Sequence, residues 1–153
     1  MKELGIYIHI PFCARKCAYC DFISFDKKEE YISKYIESLK LEIETSEILN
    51  NSKVKVNTIY IGGGTPSYID SKYIVQIIEV IKQKCDLNSA EITIEVNPGT
   101  VTQEKLNDYY NAGINRISIG LQSTNNDLLK TIGRVHNLEQ FINTYELARQ
   151  VRI

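Results

Sequence analysis

No stretch of this 153-residue sequence is apolar for anything near the roughly 18 residues that a bilayer span requires. Its first residues, Met1-Lys2-Glu3-Leu4-Gly5, lack the long apolar core and small-residue cleavage site of a secretory leader. The expected location is the cytoplasm, with membrane contact only through a partner. No block of a single charge is present either. Eighteen Lys and Arg stand against 19 Asp and Glu, mixed along the chain, for a net charge of −1. That balance excludes the broad basic footprint expected of a nucleic-acid or anionic-lipid surface. Low-complexity tracts, solenoid repeats and dividing linkers are absent as well, so one domain is expected over residues 1–153. Cysteine is scarce, at four residues, but three of them fall within eight positions. Cytoplasmic thiols are kept reduced, so such a cluster reads as metal ligands rather than disulfides.

What is present is enough for a core: 43% hydrophobic residues, with 24% charged residues at the soluble average. Short apolar runs alternate with longer amphipathic ones. Strands are expected over residues 5–10, 57–61, 91–96 and 116–120. Helices are expected over residues 29 to about 47, 71 to about 85, 102–111 and about 138–149. In the first, Tyr31, Ile32, Tyr35, Ile36, Leu39 and Ile43 follow helical spacing; in the second, Ile74, Ile77, Ile78 and Ile81 do. Asn50-Asn51-Ser52 marks a loop, Thr102 is a plausible N-cap and Gly113 suits a C-terminal cap. This alternation implies βαβ units and a parallel sheet. Four such units cannot close an eight-stranded barrel. The expected fold is therefore α/β, a parallel partial TIM-type barrel truncated after about four β/α units, the N-terminal part of something longer.

Directly after the first strand comes Cys13-Ala14-Arg15-Lys16-Cys17-Ala18-Tyr19-Cys20, a C-x3-C-x2-C spacing. Thiolates suit zinc and iron–sulfur clusters. Three thiolates can cap three corners of a four-iron cube and leave one iron open to a small molecule. Structural zinc sites and electron-transfer clusters usually take four protein ligands, and no fourth Cys or His follows at a natural spacing. A zinc site completed by His9 or a distant residue, and unligated core cysteines, are the alternatives.

Three further features fall at strand ends. Gly62-Gly63-Gly64-Thr65-Pro66 follows the second strand, where consecutive glycines let backbone approach a ligand closely, and it lacks the lysine of a P-loop. Glu95 ends the third strand and Gln122 follows the fourth. Functional groups of parallel β/α barrels gather at the C-terminal ends of strands, so the four features converge there.

Together the cysteine spacing, the aromatic Tyr19 before the last cysteine and the Gly-Gly-Gly-Thr-Pro turn resemble the radical S-adenosylmethionine superfamily. The resemblance implies a [4Fe–4S] cluster on Cys13, Cys17 and Cys20. Its open iron would be chelated by S-adenosylmethionine, and an electron donor such as flavodoxin or ferredoxin would reduce the cluster. Gly63, Gly64 and Thr65 would then meet the methionine end of the cofactor. More narrowly, Tyr7-Ile8-His9-Ile10-Pro11-Phe12-Cys13, Glu95 and Ile119-Gly120-Leu121-Gln122-Ser123 resemble the branch holding oxygen-independent coproporphyrinogen III oxidase and the HemW-type haem chaperone. On the oxidase pattern Tyr7 and Tyr19 line the S-adenosylmethionine site, and Gln122 and Arg134 match contacts to a second copy of it. The oxidase pattern has another cysteine where this chain has Phe22. Cys20-Asp21-Phe22 and Gly133-Arg134-Val135-His136-Asn137 look more like the chaperone, which implies haem or porphyrin as cargo and a haem-acceptor protein as partner.

Other residues carry less. Cys85 reads as a small buried hydrophobe. His9 reads equally as a cluster neighbour or as barrel packing, and His136 as a lone loop histidine with a minor case for haem ligation. The Lys/Glu-rich face of residues 27–44 reads as solvated, and its tyrosines as core rather than ligand.

Overall fold

β-Branched runs pair side by side in the structure, a computed structural model that describes residues 2–50 and 54–153. The strands are β1 (Lys2–Ile10), two short ones, β2 (Phe12–Cys13) and β3 (Phe25–Asp26), then β4 (Val54–Gly63), β5 (Glu91–Val96) and β6 (Arg116–Ile119). The helices are α1 (Ile32–Thr45), α2 (Ser71–Lys82), α3 (Gln103–Asn111), α4 (Asn126–Thr131) and α5 (Leu138–Val151). The main sheet is parallel throughout, in the order β1-β4-β5-β6. Each strand pairs with the next in sequence, as in one half of a β/α barrel. Among the described residues β1 and β6 each have one strand neighbour, so the sheet is open.

Alternation along the strands separates two faces. Ile8, Ile10, Ile59, Ile61, Ile92, Ile94 and Val96 point to one side and are buried against Ile36, Ile74, Ile77, Ile78, Ile81 and Leu106 of the helices. Each such side chain contributes roughly 1.5–3 kcal/mol relative to exposure. Helices α1, α2, α3 and α5 pack in that order over this face. The other face carries Tyr7, His9, Tyr60, Thr93, Glu95, Arg116 and Ser118. The sheet thus has one apolar face under the helices and one face that carries polar side chains.

The helix ends follow local chemistry. Asp70 accepts from the Lys72 amide at 3.0 Å, and Thr102 from that of Lys105 at 3.2 Å. Asn137 and Gln140 form a reciprocal capping box at the start of α5. Gly113, with φ +96°, follows the last turn of α3, a left-handed position that glycine takes without a Cβ clash.

Several expectations need correction. The first strand starts at Lys2 and the second runs from Val54 to Gly63, both longer than their apolar runs. The first α-helix begins at Ile32, after a 3-10 turn over Glu29–Tyr31, so Tyr31 is 52% exposed rather than core. The second stops at Lys82 and the last extends to Val151. Helix α4 and the β2–β3 pair are additional elements. Of the Asn50-Asn51-Ser52 loop, Asn51 and Ser52 lie outside the described residues. No helix among the described residues is long and apolar enough to cross a membrane.

Candidate functional site

The chain leaves β1 at Pro11 and immediately re-pairs. Phe12 and Cys13 sit beside Phe25 and Asp26, and the Phe25 amide donates to the Pro11 carbonyl at 2.7 Å. The cysteine loop is thereby closed at its base. Lys16 Nζ reaches back to the Phe22 carbonyl at 3.0 Å and the Ser24 carbonyl at 3.4 Å. His9, at the end of β1, is fully engaged. Nε2 donates to the Ile23 carbonyl at 2.8 Å and Nδ1 accepts from the Tyr7 hydroxyl at 3.1 Å. Thus His9 pins the far side of the loop. All four cysteines are free thiols: Cys13 is buried, and Cys17 and Cys20 are half-buried.

The glycine turn after β4 is pressed against this loop. The Gly64 amide donates to the Ile10 carbonyl at 2.9 Å and the Thr65 amide to the Phe12 carbonyl at 2.8 Å. A Cβ on Gly64 would lie 2.8 Å from Cys13 Sγ. The absent side chain is thus what lets backbone and thiol share the space. Gly63 has φ +118°, a backbone state open to glycine. Its amide donates to Glu95 Oε2 at 3.2 Å, and the Tyr60 hydroxyl donates to Glu95 Oε1 at 2.8 Å. Burial, reinforced by that hydrogen bond and the Glu95 charge, pushes the Tyr60 hydroxyl up in pKa and keeps it a donor. Burial first and the Glu95 charge second do the same for Tyr7.

Asn97, read from the sequence only as part of a turn, links the glycine turn to the last loop. Its Nδ2 donates to Thr65 Oγ1 at 2.9 Å, and Thr65 Oγ1 donates to Cys13 Sγ at 3.6 Å. Its Oδ1 accepts from Arg134 Nη2 at 2.8 Å. Beneath, Lys105 Nζ donates to the Ser67 and Thr100 carbonyls, and Ser67 Oγ accepts from the Asn97 amide at 3.1 Å. Burial pushes the Lys105 pKa down. This lattice holds the loops after β4 and β5 in fixed relation.

The loop after β6 carries Gln122 at φ +68°, a left-handed position costly for a non-glycine residue. Arg134 lies across it. Nη2 donates to the Gly120 carbonyl at 2.8 Å, and Nη1 to Cys17 Sγ at 3.8 Å. Burial raises the Tyr19 pKa, an effect offset by the neighbouring Arg134 charge and reinforced by Cys17 and Cys20.

These segments enclose a cavity of about 260 Å³ lined by Tyr19, Cys20, Phe22, Gly63, Gly64, Thr65, Glu95, Val96, Asn97, Ser118, Gly120, Gln122 and Arg134. Of the residues picked out in the sequence, Tyr19, Cys20, Gly63, Gly64, Thr65, Glu95, Gln122 and Arg134 therefore meet around one space. Cys13 and Cys17 join it through Thr65 and Arg134. Tyr7 lies outside the lining, 57% exposed, with its ring 6.2 Å from that of Tyr60. Asn97 and Ser118 were missed. An Asn in Asn-Pro-Gly and a Ser in an alternating strand look like ordinary turn and strand residues, and their strand-end position was the available signal.

Among the described residues, no three His, Cys, Asp or Glu side chains converge as ligands of a single metal ion. A four-iron cube makes no such demand, because each cysteine binds its own iron. The donor set fits that group: three free thiols on one closed loop, two of them already accepting hydrogen bonds, with the side-chain-free Gly64 against the first.

His136 is 5% exposed, and both its nitrogens are occupied. Nε2 faces the Leu121 carbonyl at 3.2 Å and Nδ1 accepts from Arg134 Nε at 3.3 Å, so the folded chain does not offer it to a haem iron. Burial first, then the Arg134 charge, lower its pKa, partly offset by the Leu121 carbonyl. The unfolded chain therefore binds a proton that the folded one resists. The His136 contribution to stability is complete above about pH 6.5 and is lost as pH falls through the lower folded value. The urea midpoint should accordingly fall as pH drops below about 6.5. His136→Asn, with no titrating ring, should flatten that pH dependence, and an unchanged slope would refute the assignment.

Comparison with known proteins agrees with this arrangement. The sequence profile of the Radical SAM superfamily matches residues 7–153. Heme chaperone HemW of Haemophilus influenzae is 40% identical over 97% of this chain and 40% of its own length. The oxygen-independent coproporphyrinogen-III oxidase-like protein HemZ of Bacillus subtilis is 41% identical over 97% of this chain and 31% of its own. The chain thus spans well under half the length of these relatives. In structure it resembles the coproporphyrinogen III oxidase HemN of Escherichia coli, with a TM-score of 0.87 and 24% identity, covering 98% of this chain and 35% of that one. That likeness speaks to the fold. With a matching profile over nearly its whole length and a half-barrel whose strand ends carry the cysteine loop and glycine turn, this chain belongs to the Radical SAM superfamily.

Proposed function

We propose that the chain is the N-terminal part of a radical SAM core that binds haem and passes it to an acceptor protein, acting in the cytoplasm. The observation that carries the cofactor part is the cavity that brings Cys20, Gly63, Gly64, Thr65, Glu95, Gln122 and Arg134 together at the C-terminal ends of four parallel strands. Cys13, Cys17 and Cys20 would hold the [4Fe–4S] cluster, and its fourth iron would take the amino and carboxylate groups of S-adenosylmethionine. When bound and reduced by flavodoxin or ferredoxin, the cluster supplies one electron to the sulfonium. Gly63 and Gly64 leave space at the methionine end. Glu95 presents a carboxylate already fixed by Tyr60 and Gly63, suited to a cationic or hydroxyl group. Arg134 has five N–H hydrogens, and its four partners leave one for the cavity.

The haem part rests on the HemW relatives at about 40% identity and on Phe22 beside the third cysteine. Within residues 1–153 His9 and His136 are the two histidines and both are engaged, so neither is offered to haem iron by this part of the fold. A second reading is oxidative decarboxylation of coproporphyrinogen III, favoured by the similarity to HemZ. Titrating haem into the anaerobically cluster-loaded protein should produce a saturable shift of the haem absorption band. Incubation with coproporphyrinogen III, S-adenosylmethionine and a reductant should leave the porphyrinogen unchanged. Turnover of the porphyrinogen would replace the first reading with the second. Stoichiometric zinc without iron or sulfide in anaerobically purified protein would replace both with a zinc-binding module.

A further inference from the structure

Beneath the cysteine loop lies a polar contact that the cofactor reading leaves unused. His136 is buried, and its nitrogens face opposite ways: Nδ1 toward Arg134 Nε at 3.3 Å, Nε2 toward the Leu121 carbonyl at 3.2 Å. A carbonyl oxygen can only accept, so Nε2 carries the ring hydrogen and Nδ1 presents its lone pair to Arg134. The guanidinium is then held at three places, by Nδ1 of His136, by Asn97 Oδ1 and by the Gly120 carbonyl. Two of these anchors take the two Nη2 hydrogens at one corner of the planar guanidinium. The third, on Nε, holds the opposite edge of the same plane. With the plane set, one Nη1 hydrogen points to Cys17 Sγ at 3.8 Å.

We propose that His136 is a positioning residue, whose Nδ1 lone pair holds the Nε edge of the Arg134 guanidinium so that Nη1 donates to Cys17 Sγ and helps set the reduction potential of the cluster. This rests on the proposed reading of Cys17 as a cluster thiolate. Hydrogen bonds to cluster sulfurs favour the more negatively charged reduced state, so removing one lowers the potential. The arrangement has a second branch, because Asn97 passes from Arg134 to Thr65 and Thr65 donates to Cys13 Sγ. One guanidinium plane therefore governs donors to two of the three thiols.

A merely structural role is the competing explanation, since His136 also steadies Leu121 beside the strained Gln122. Two variants separate the roles. Asn places an oxygen near the Nδ1 position but cannot reach the Leu121 carbonyl, whereas Gln reaches the Nε2 position without offering an acceptor at Nδ1. In anaerobically reconstituted protein, His136→Gln should lower the midpoint potential, and His136→Asn should keep it near the unaltered value. The expected fall corresponds to about a tenfold change in the reduced-to-oxidised ratio, about 59 mV for one electron. A shift in His136→Asn alone, equal shifts in both or no shift in either would overturn the proposal.

A second readout needs no cluster. The Arg134 Nε–H resonance of the cluster-free protein should exchange slowly with solvent in the unaltered chain and in His136→Asn, and rapidly in His136→Gln. Rapid exchange in the unaltered chain would also overturn the proposal. Should the unaltered protein load no iron, the cluster reading fails, while this exchange measurement still decides whether His136 holds Arg134.

Discussion

Cys17→Ala and Cys20→Ala proteins, reconstituted anaerobically with iron and sulfide, should remain nearly colourless and iron-free, where the unaltered chain takes up about four irons. The size of the effect follows from ligand number. With three thiolates a cube keeps one open iron. With two, half its irons face solvent and the cluster is lost to exchange and oxidation. These two cysteines are the cleaner tests because they are half-buried on the loop and their removal leaves the core intact. Cys13 is 7% exposed and packs under Gly64, so Cys13→Ala combines ligand loss with a small cavity and should also lower the urea midpoint. Cys85 supplies the control. It lies at the other end of the sheet, half-buried, with its Sγ 4.0 Å from the Leu49 carbonyl and its pKa raised by burial. Cys85→Ala should load iron as the unaltered chain does. Unchanged iron in a variant lacking all of Cys13, Cys17 and Cys20 would overturn the cluster assignment.

The contrast between those cysteines also shows what a sequence reveals. Spacing separates the three proposed cluster ligands from Cys85, because a loop ligand set is local and periodicity is not involved. The same holds for β5, whose bounds match the Glu91-Ile92-Thr93-Ile94-Glu95-Val96 run, and for Thr102, which caps α3 as its side-chain chemistry suggests. Local signals failed where the cause is tertiary. Helix α4 has six residues, too few for a periodic stripe; it is held by its Asn125 cap and by the Ala18 amide donating to the Ile132 carbonyl. The β2–β3 pair joins residues thirteen positions apart that have no hairpin signature. Asn97 and His136 gain their roles only from what folds against them. Gly120 is of the same kind: a Cβ there would crowd the Gln122, Arg134 and Asn97 side chains at 3.2–3.3 Å. No local pattern announces that three polar side chains from separate loops converge on one glycine.

Gly64→Ala should weaken S-adenosylmethionine binding to the cluster-loaded protein by at least about tenfold, or about 1.4 kcal/mol, measured by calorimetric titration. The cause is space rather than backbone freedom, since Gly64 does not have a positive φ. The added methyl would stand 2.8 Å from Cys13 Sγ, 2.9 Å from the Phe12 carbonyl oxygen and 3.1 Å from the Pro11 carbonyl carbon. Two of these are backbone atoms, and the Phe12 oxygen is already bound by the Thr65 amide at 2.8 Å, so neither can swing aside. Relief requires the glycine turn and the cysteine loop to part. That displaces Thr65 from Cys13 Sγ and shifts Gly63 from Glu95, moving two walls of the cavity at once. Overpacking of this kind also costs about 1–3 kcal/mol of stability, so a second glycine must separate the two consequences. Gly5 serves, because its Cβ would meet only Thr58 Oγ1, at 2.9 Å, far from the strand ends that build the cavity. Gly5→Ala should lower the urea midpoint and leave S-adenosylmethionine affinity unchanged, whereas Gly64→Ala should change both. Equal affinities in the two variants would show that the glycine turn is scaffold, and that the cofactor is held elsewhere.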